Sequence, residues 1–322
     1  MGGRMRRFLI VVAVIAVLLG VAAYMLSAAD IPRATLEAKY AMPPSQFVVL
    51  PDGARVHYRI RGAATAPALV LLHGSNASLF TWEPWSKKLS DRFRVVSLDL
   101  PGHGLTGAVP NHDYSTKGMA IFVAEFADKI GLHQFALAGN SMGGGVAARF
   151  AEMYPNRVSA LILVDAGGMP GKMGDRIPLA FQLLRMPWLQ SVMAHADPRP
   201  LAREGLGKAI VRKSVLNEQM IDLYTDMALL EGTREATFER FNQTEDYGYV
   251  KAHVSALKMP VLILWGEEDH LIPVETAHSW KAAIPGAKLI VYPATGHIPM
   301  EEVADQSAAD VRAFLATHEG AQ

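Results

Sequence analysis

Short apolar runs alternate with amphipathic stretches along most of this chain. The segments PALVLLHG, RFRVVSLDLPGHG and HQFALAG are almost continuously apolar before a glycine or aspartate, which is typical of strands buried on both faces. Between the last two, residues 116–130 have helical spacing. This alternation predicts an α/β fold, a mostly parallel sheet flanked by helices.

The pattern continues on both sides of these segments. QFVVLPDGARVHYRIRG indicates two strands joined by the turn Pro51-Asp52-Gly53. Further along the chain, VSALILVDAGG, PVLILWGEED and AKLIVYPATGH indicate three more strands. The predicted core therefore comprises residues 46–168 and 259–318.

Residues 169–258 interrupt the alternation with helical patterns rich in methionine, leucine and aromatic residues. We expect them to form a helical cap inserted over one end of the sheet. Met186, Trp188, Met193 and Met227 would then line an apolar substrate pocket. The alternative is that these side chains only pack the cap against itself.

The first 29 residues have a different character. Three arginines precede an uncharged run of about 19 residues, residues 8–26. Such a helix is about 29 Å long, close to the hydrocarbon thickness of a bilayer. The run predicts an N-terminal transmembrane helix, a signal-anchor that leaves the rest of a single-pass inner-membrane protein on the periplasmic side. Two alternatives are a signal peptide cleaved near Ser27-Ala28-Ala29 and a buried helix. Residues 30–45 would be a linker.

Composition excludes several classes of function. The 322 residues include 31 basic and 31 acidic side chains, and this zero net charge argues against a nucleic-acid partner. The chain contains no cysteine, so disulfides, thiolate nucleophiles and cysteine-ligated zinc are excluded.

The segment Gly139-Asn140-Ser141-Met142-Gly143 joins a predicted strand to a predicted helix. A serine in so tight a turn needs small neighbours, and this context favours a nucleophile over a small residue in a glycine-rich bend. A serine hydroxyl also requires a base and a group that orients the base. Two later strands end in loops that carry Asp269 and His297. Glu267, Glu268 and Asp165 are alternative acids.

The same turn provides a donor for an oxyanion. The backbone N–H of Met142, at the start of the predicted helix, can stabilise the negative charge that forms when a serine attacks a carbonyl. The loop after PALVLLHG provides a second N–H, which we assign to Ser75. His73 and His103 are expected to brace loops.

Five motifs together resemble the α/β-hydrolase superfamily. They are His73-Gly74, Asp99 to Gly104 (DLPGHG), Gly139 to Gly144 (GNSMGG), Trp265-Gly266 with Asp269, and Gly296-His297. The resemblance implies the α/β-hydrolase fold and a triad in the order serine, acid, histidine.

GNSMGG is similar to the corresponding turn of bacterial lipases and esterases, and to that of meta-cleavage-product hydrolases, which break carbon–carbon bonds. The latter usually have a glycine-rich run after the His-Gly pair and an aromatic residue after the histidine. This chain has Ser75-Asn76-Ala77-Ser78 and Ile298 there.

The sequence therefore predicts a serine hydrolase that cleaves small-molecule, apolar carboxylic esters through an acyl-enzyme. Ser141, His297 and Asp269 would form the triad, and neither a metal nor an organic cofactor is required. The alternatives are a carbon–carbon bond hydrolase with the same triad and a noncatalytic membrane-tethered binding protein.

Overall fold

The computed structural model describes residues 5–11, 26–169, 186, 190, 193–243 and 253–318. In chain order the strands are β1 Ser45–Val49, β2 Arg55–Arg61, β3 Ala68–Leu72, β4 Arg94–Leu98, β5 Phe135–Asn140, β6 Val158–Val164, β7 Val261–Gly266 and β8 Lys288–Tyr292. The helices from residue 33 onward are α1 Arg33–Tyr40, α2 Glu83–Leu89, α3 Thr116–Lys129, α4 Met142–Met153, α5 Arg199–Ala209, α6 Glu218–Ala228, α7 Thr233–Asn242, α8 Glu275–Ala283, α9 Pro299–Glu302 and α10 Ala304–Ala316.

The eight strands form one sheet in the order β1-β2-β4-β3-β5-β6-β7-β8. The β1–β2 and β2–β4 pairs are antiparallel, and the pairs from β4 to β8 are parallel. The predicted mostly parallel sheet is confirmed. Because parallel neighbours run in the same direction, the loops after β5, β6, β7 and β8 all leave from one edge of the sheet.

Helices cover both faces of the sheet, and β3 shows how its side chains divide between them. Val70 and Leu72 pack into one buried cluster with Phe126 of α3 and Val146 of α4. Leu69 and Leu71 pack into the other cluster, with Trp85 of α2 and Phe314 of α10. Successive side chains of a strand point to opposite faces, so a strand between two helical layers must be apolar at every position.

Between β6 and β7 the structure describes α5, α6 and α7, which we call the inserted helices. They lie within the segment for which the sequence predicts a helical cap. Residues 170–185 and 244–252 of that segment lie outside the described residues. The exact division of the chain into core and cap therefore stays a prediction.

The N-terminal transmembrane helix expected over residues 8–26 is not supported. A helix needs about 20 consecutive apolar residues to cross the hydrocarbon core. Within the part of the chain that the structure describes, no helix is both long and apolar enough to do so. Helix is described at residues 5–11, and residues 12–25 lie outside the described residues. The single-pass inner-membrane placement, the membrane as a partner and the signal-anchor, all of which depended on this helix, are therefore not supported either.

Residues 26–40, which we call the N-terminal arm, contact the inserted helices. The backbone of Ile31 donates to Leu229 O at 2.7 Å and accepts from Glu231 N at 3.2 Å. Asp30 forms a salt bridge of 2.6 Å with Arg234, which lies in the first turn of α7. These contacts join the arm to the helices between β6 and β7.

Helix α1 continues this attachment through apolar and charged contacts. Leu36 is 1% exposed and packs with Leu105, Met227 and Leu230. Asp226 of α6 accepts hydrogen bonds of 2.7 Å from the side chains of both Lys39 and Tyr40. Since the arm is only 15 residues long, its contacts with the rest of the chain explain why it is ordered.

We expect Leu36→Ala to lower the free energy of unfolding by about 2–4 kcal/mol, because it removes buried methyl groups and leaves a cavity between α1 and the inserted helices. Thr35→Ala, an exposed neighbour on the same helix, is the matched control and should change it by less than about 0.5 kcal/mol. Denaturant titration of both variants measures the difference. Equal effects would show that the arm does not pack as described.

Candidate active site

Ser141 occupies the turn between β5 and α4 in a strained backbone conformation. Its φ is 53° and its ψ is −120°, a combination that residues other than glycine rarely adopt. The flanking glycines make the turn possible: a Cβ on Gly139 would lie 2.1 Å from Gly143 O, and one on Gly143 would lie 2.4 Å from Leu72 O. These close contacts explain why glycines are needed two positions before and two positions after this serine.

His297 lies on the loop after β8, and its backbone is held from two sides. Its N–H donates to Ala209 O, at the end of α5, at 2.8 Å. Its carbonyl accepts from the Asn140 side chain at 3.0 Å. The backbone at His297 is therefore fixed between an inserted helix and the residue that precedes Ser141.

Asp269 is the acid that reaches His297. One carboxylate oxygen, Oδ2, lies 2.7 Å from His297 Nδ1, and the other accepts from Leu271 N and Ile272 N at 2.8 and 3.0 Å. Asp269 is buried, whereas the alternatives Glu267 and Glu268 are exposed. Because a carboxylate only accepts, His297 carries its proton on Nδ1 in this arrangement and leaves Nε2 available.

Ser141 and His297 line one cavity of about 210 Å³ between the edge of the sheet and the inserted helices. Among the described residues no hydrogen bond links the Ser141 hydroxyl to the His297 ring. In unliganded sites such bonds are often long and tighten when substrate binds. The cavity thus brings together the serine, the histidine and, behind the histidine, Asp269.

Two of the four side chains predicted to line the pocket do so. Met193 and Met227 line the cavity, whereas Met186 is 40% exposed and does not. Trp188 lies outside the described residues. The remaining walls are mainly apolar and come from side chains for which sequence reasoning made no prediction: Leu201, Leu206, Phe238, Leu271 and Ile298.

The two predicted oxyanion donors belong to segments that meet at this cavity. Ser75 lines it beside Gly74, and Met142 is the first residue of α4, directly after Ser141. Arg240 of α7 contacts both segments: it donates to Asn76 Oδ1 at 3.0 Å and lies 3.8 Å from Met142 Sδ. No local signal in the sequence pointed to Arg240, because its partners are 98 and 164 residues away.

His73 and His103 brace the loops around the site, as expected. His73 is fully buried, donates from Nδ1 to Gly74 O at 2.8 Å and accepts from Leu100 N at 3.0 Å. His103 donates from Nδ1 to Pro101 O at 2.8 Å. Burial lowers the pKa of His73 and lowers the pKa of His103 further, so both rings are neutral at neutral pH.

Asp165, which follows β6, lies beside the pair of Asp269 and His297. Ligand-type atoms of these three side chains lie within 4.8 Å of one another, the only such cluster in the described part of the chain. His297 Nδ1 and Asp269 Oδ2 are already joined by a hydrogen bond, and Asp165 Oδ1 accepts from Gly266 N at 2.9 Å. We therefore interpret the cluster as hydrogen-bonded rather than as a metal centre.

Comparison with known proteins identifies the family. The sequence model of the family described as "alpha/beta hydrolase fold" matches residues 67–303, which include every strand from β3 to β8. The chain belongs to the α/β-hydrolase family. It is therefore a hydrolase, and the resemblance inferred from the motifs is confirmed.

Three similar proteins illustrate the relatives of this α/β-hydrolase, and two of them have a named activity. An uncharacterised protein of Mycobacterium tuberculosis is 31% identical over 88% of this chain and 84% of its own length. The 2-hydroxy-6-oxononadienedioate/2-hydroxy-6-oxononatrienedioate hydrolase of Burkholderia vietnamiensis is 29% identical over 84% of this chain and 95% of its own. The crystal structure of a bacterial membrane phospholipase A matches with a TM-score of 0.73 and 26% identity, over 98% of this chain and 99% of the other.

Proposed function

We propose that this α/β-hydrolase is a serine hydrolase that cleaves carboxylic esters of apolar small molecules. The observation that carries the proposal is the placement of Ser141, at the tip of a strained turn, in one cavity with a histidine whose Nδ1 bonds a buried aspartate. A base oriented in this way is what a serine hydroxyl requires to become a nucleophile.

In the proposed reaction Ser141 Oγ attacks the ester carbonyl while its proton passes to His297 Nε2. The resulting tetrahedral intermediate collapses, the bond to the leaving oxygen breaks, and His297 gives its proton to that oxygen to release the alcohol. Water then attacks the acyl-enzyme, with His297 again accepting a proton and returning it to Ser141. Asp269 stays ionised throughout and stabilises the imidazolium that forms twice per turnover.

The negative oxygen of the intermediate needs donors that are in place before the reaction. We assign this role to the backbone N–H groups of Ser75 and Met142. Met142 begins α4, where unpaired N–H groups and the helix dipole favour a negative charge. Preorganised donors of this kind contribute about 3–4 kcal/mol each to catalysis.

The apolar cavity and one solved relative support an ester as substrate. Side chains such as Met193, Met227 and Phe238 offer an acyl chain a surface with few hydrogen-bonding groups. The solved relative is a membrane phospholipase A at 26% identity. The second candidate substrate is a 2-hydroxy-6-oxodienedioate, the class named for the Burkholderia relative at 29% identity. A panel of nitrophenyl esters assayed beside such a dienoate decides between them.

We expect Ser141→Ala to abolish labelling by a fluorophosphonate probe and to reduce ester turnover by about 10⁴-fold, because triad members act as a unit. His297→Ala should cause a similar loss while the fold, followed by circular dichroism, is retained. A Ser141→Ala variant with more than about a tenth of the activity would refute the nucleophile assignment. Absence of labelling in the wild type would instead favour a noncatalytic binding protein.

We expect Asp269→Asn to lower kcat by about 10⁴-fold, since an amide donor in place of Oδ2 stabilises the wrong tautomer of His297. Glu268→Gln is the matched control: this residue is one position earlier on the same loop but exposed, so kcat should not change. Steady-state hydrolysis of one nitrophenyl ester measures both. A larger loss in Glu268→Gln than in Asp269→Asn would mean that the acid is misassigned.

We expect Met227→Ala to raise the ratio of long-chain to short-chain ester hydrolysis by about tenfold, because the shorter side chain leaves room for further methylenes, each worth about 0.8 kcal/mol. Met186→Ala, outside the cavity, is the control and should leave the ratio unchanged. Rates are normalised to the sites labelled by the fluorophosphonate. A uniform loss at all chain lengths would contradict a role of Met227 in substrate selection.

A further inference from the structure

Asp165 is a buried acid that the proposed reaction does not use. Its side chain is 0% exposed, and its backbone φ of 44° lies in the left-handed region. Oδ1 accepts from the backbone N–H of Gly266, whereas the buried Oδ2 has no hydrogen-bond partner. An unpaired buried carboxylate oxygen is costly, so the position requires an explanation.

A second carboxylate lies beside Asp165. Atoms of Asp165, Asp269 and His297 lie within 4.8 Å of one another. Asp269 is already fixed by two backbone N–H groups on one oxygen and by His297 on the other. Two buried carboxylates at such a distance do not both ionise, and a proton placed between them converts a repulsion into a hydrogen bond.

We propose that Asp165 is a protonated carboxylic acid whose Oδ2–H donates to the carboxylate of Asp269, making it a positioning residue for the acid that orients His297. This inference rests on the proposed function of the triad. Of the two acids, Asp165 holds the proton because Asp269 has three donors that favour its ionised form, whereas Asp165 has one.

The surrounding charges act in the same direction. Burial, and after it the negative charge of Asp269, raises the pKa of Asp165 well above its ordinary value of 3.8. Glu302 of α9 adds a smaller effect of the same sign, and the Gly266 N–H opposes it. Tyr292 at the end of β8 also faces Asp165, and its own pKa is raised, chiefly by burial. The charged side chains that act on Asp165, those of Asp269 and Glu302, are thus both acidic.

The first test is spectroscopic and needs no substrate. Infrared difference spectra at neutral pH, wild type minus Asp165→Asn, should contain the C=O stretch of a protonated carboxylic acid. Glu301 is the control, because burial raises its pKa to about 7 and it can contribute a band of its own. Glu301→Gln should leave the Asp165 band in place. The proposal is overturned if the wild type has no carboxylic-acid band that disappears in Asp165→Asn, whatever the enzyme's activity.

The second test uses stability. Since the pKa of Asp165 is raised in the folded state, its contribution to stability is fully present below the unfolded value of 3.8 and is lost as the pH rises towards the folded pKa. Asparagine cannot titrate. The folding equilibrium constant of Asp165→Asn relative to the wild type should therefore rise by up to about tenfold per pH unit above that value. A ratio that is independent of pH contradicts the proposal.

The third test separates positioning from packing. Asp165→Asn keeps an N–H donor for Asp269, so its kcat should exceed that of Asp165→Ala by on the order of tenfold, at similar KM. The acidic limb of the pH profile of kcat/KM reports the base in the free enzyme. It should lie at the same pH in the wild type and in Asp165→Asn. If Asp165 were ionised, removing its charge would shift that limb down by about one pH unit. Equal kcat in both variants, or such a shift, overturns the inference.

A failure of the proposed function gives a different pattern. Wild-type protein that resists the fluorophosphonate refutes the activated serine, yet the infrared band and the pH-dependent stability would still report the proton on Asp165. The two proposals can therefore fail independently.

Discussion

The parallel register of β5, β6, β7 and β8 is the constraint on which the rest of the site depends. Asn140 pairs with Val164, Val164 with Leu264, and Gly266 with Tyr292, so these strands end side by side. The residues that follow them are Ser141, Asp165, the Asp269 loop and the His297 loop. A change of register in any one strand would move its loop by more than a hydrogen-bond length, because successive residues are about 3.3 Å apart.

Backbone hydrogen bonds convert this proximity into fixed geometry. Ser141 donates from its N–H to Val164 O at 3.0 Å and accepts from Gly167 N at 2.8 Å, so its strained turn is held by the loop after β6. His297 is held by Ala209 and Asn140 in the same way. Site geometry that rests on backbone hydrogen bonds depends little on substitutions at the surface.

The inserted helices complete the cavity, and two contacts determine where they lie. Arg240 joins α7 to the loop that contains Asn76. Helix α1 of the N-terminal arm joins α6 through the packing of Leu36 and the hydrogen bond to Asp226. A wall held from both sides can be shaped for a particular substrate without altering the sheet. One fold can carry different sites in this way, because function depends on the site and not on the fold.

Local patterns in the sequence were sufficient to predict the strands, the turn at Ser141 and the candidate histidine. Apolar runs and glycine spacing act over a few residues and are visible without the fold. They favoured Asp269 over Glu267 and Glu268 as the acid, but they did not show that Asp269 alone of the three is buried and bonded to His297. They also left unseen the proton-sharing position of Asp165, the contacts of Arg240 and the order in residues 30–45. Those features depend on partners tens to hundreds of residues away, which only strand register and packing bring within a hydrogen-bond length.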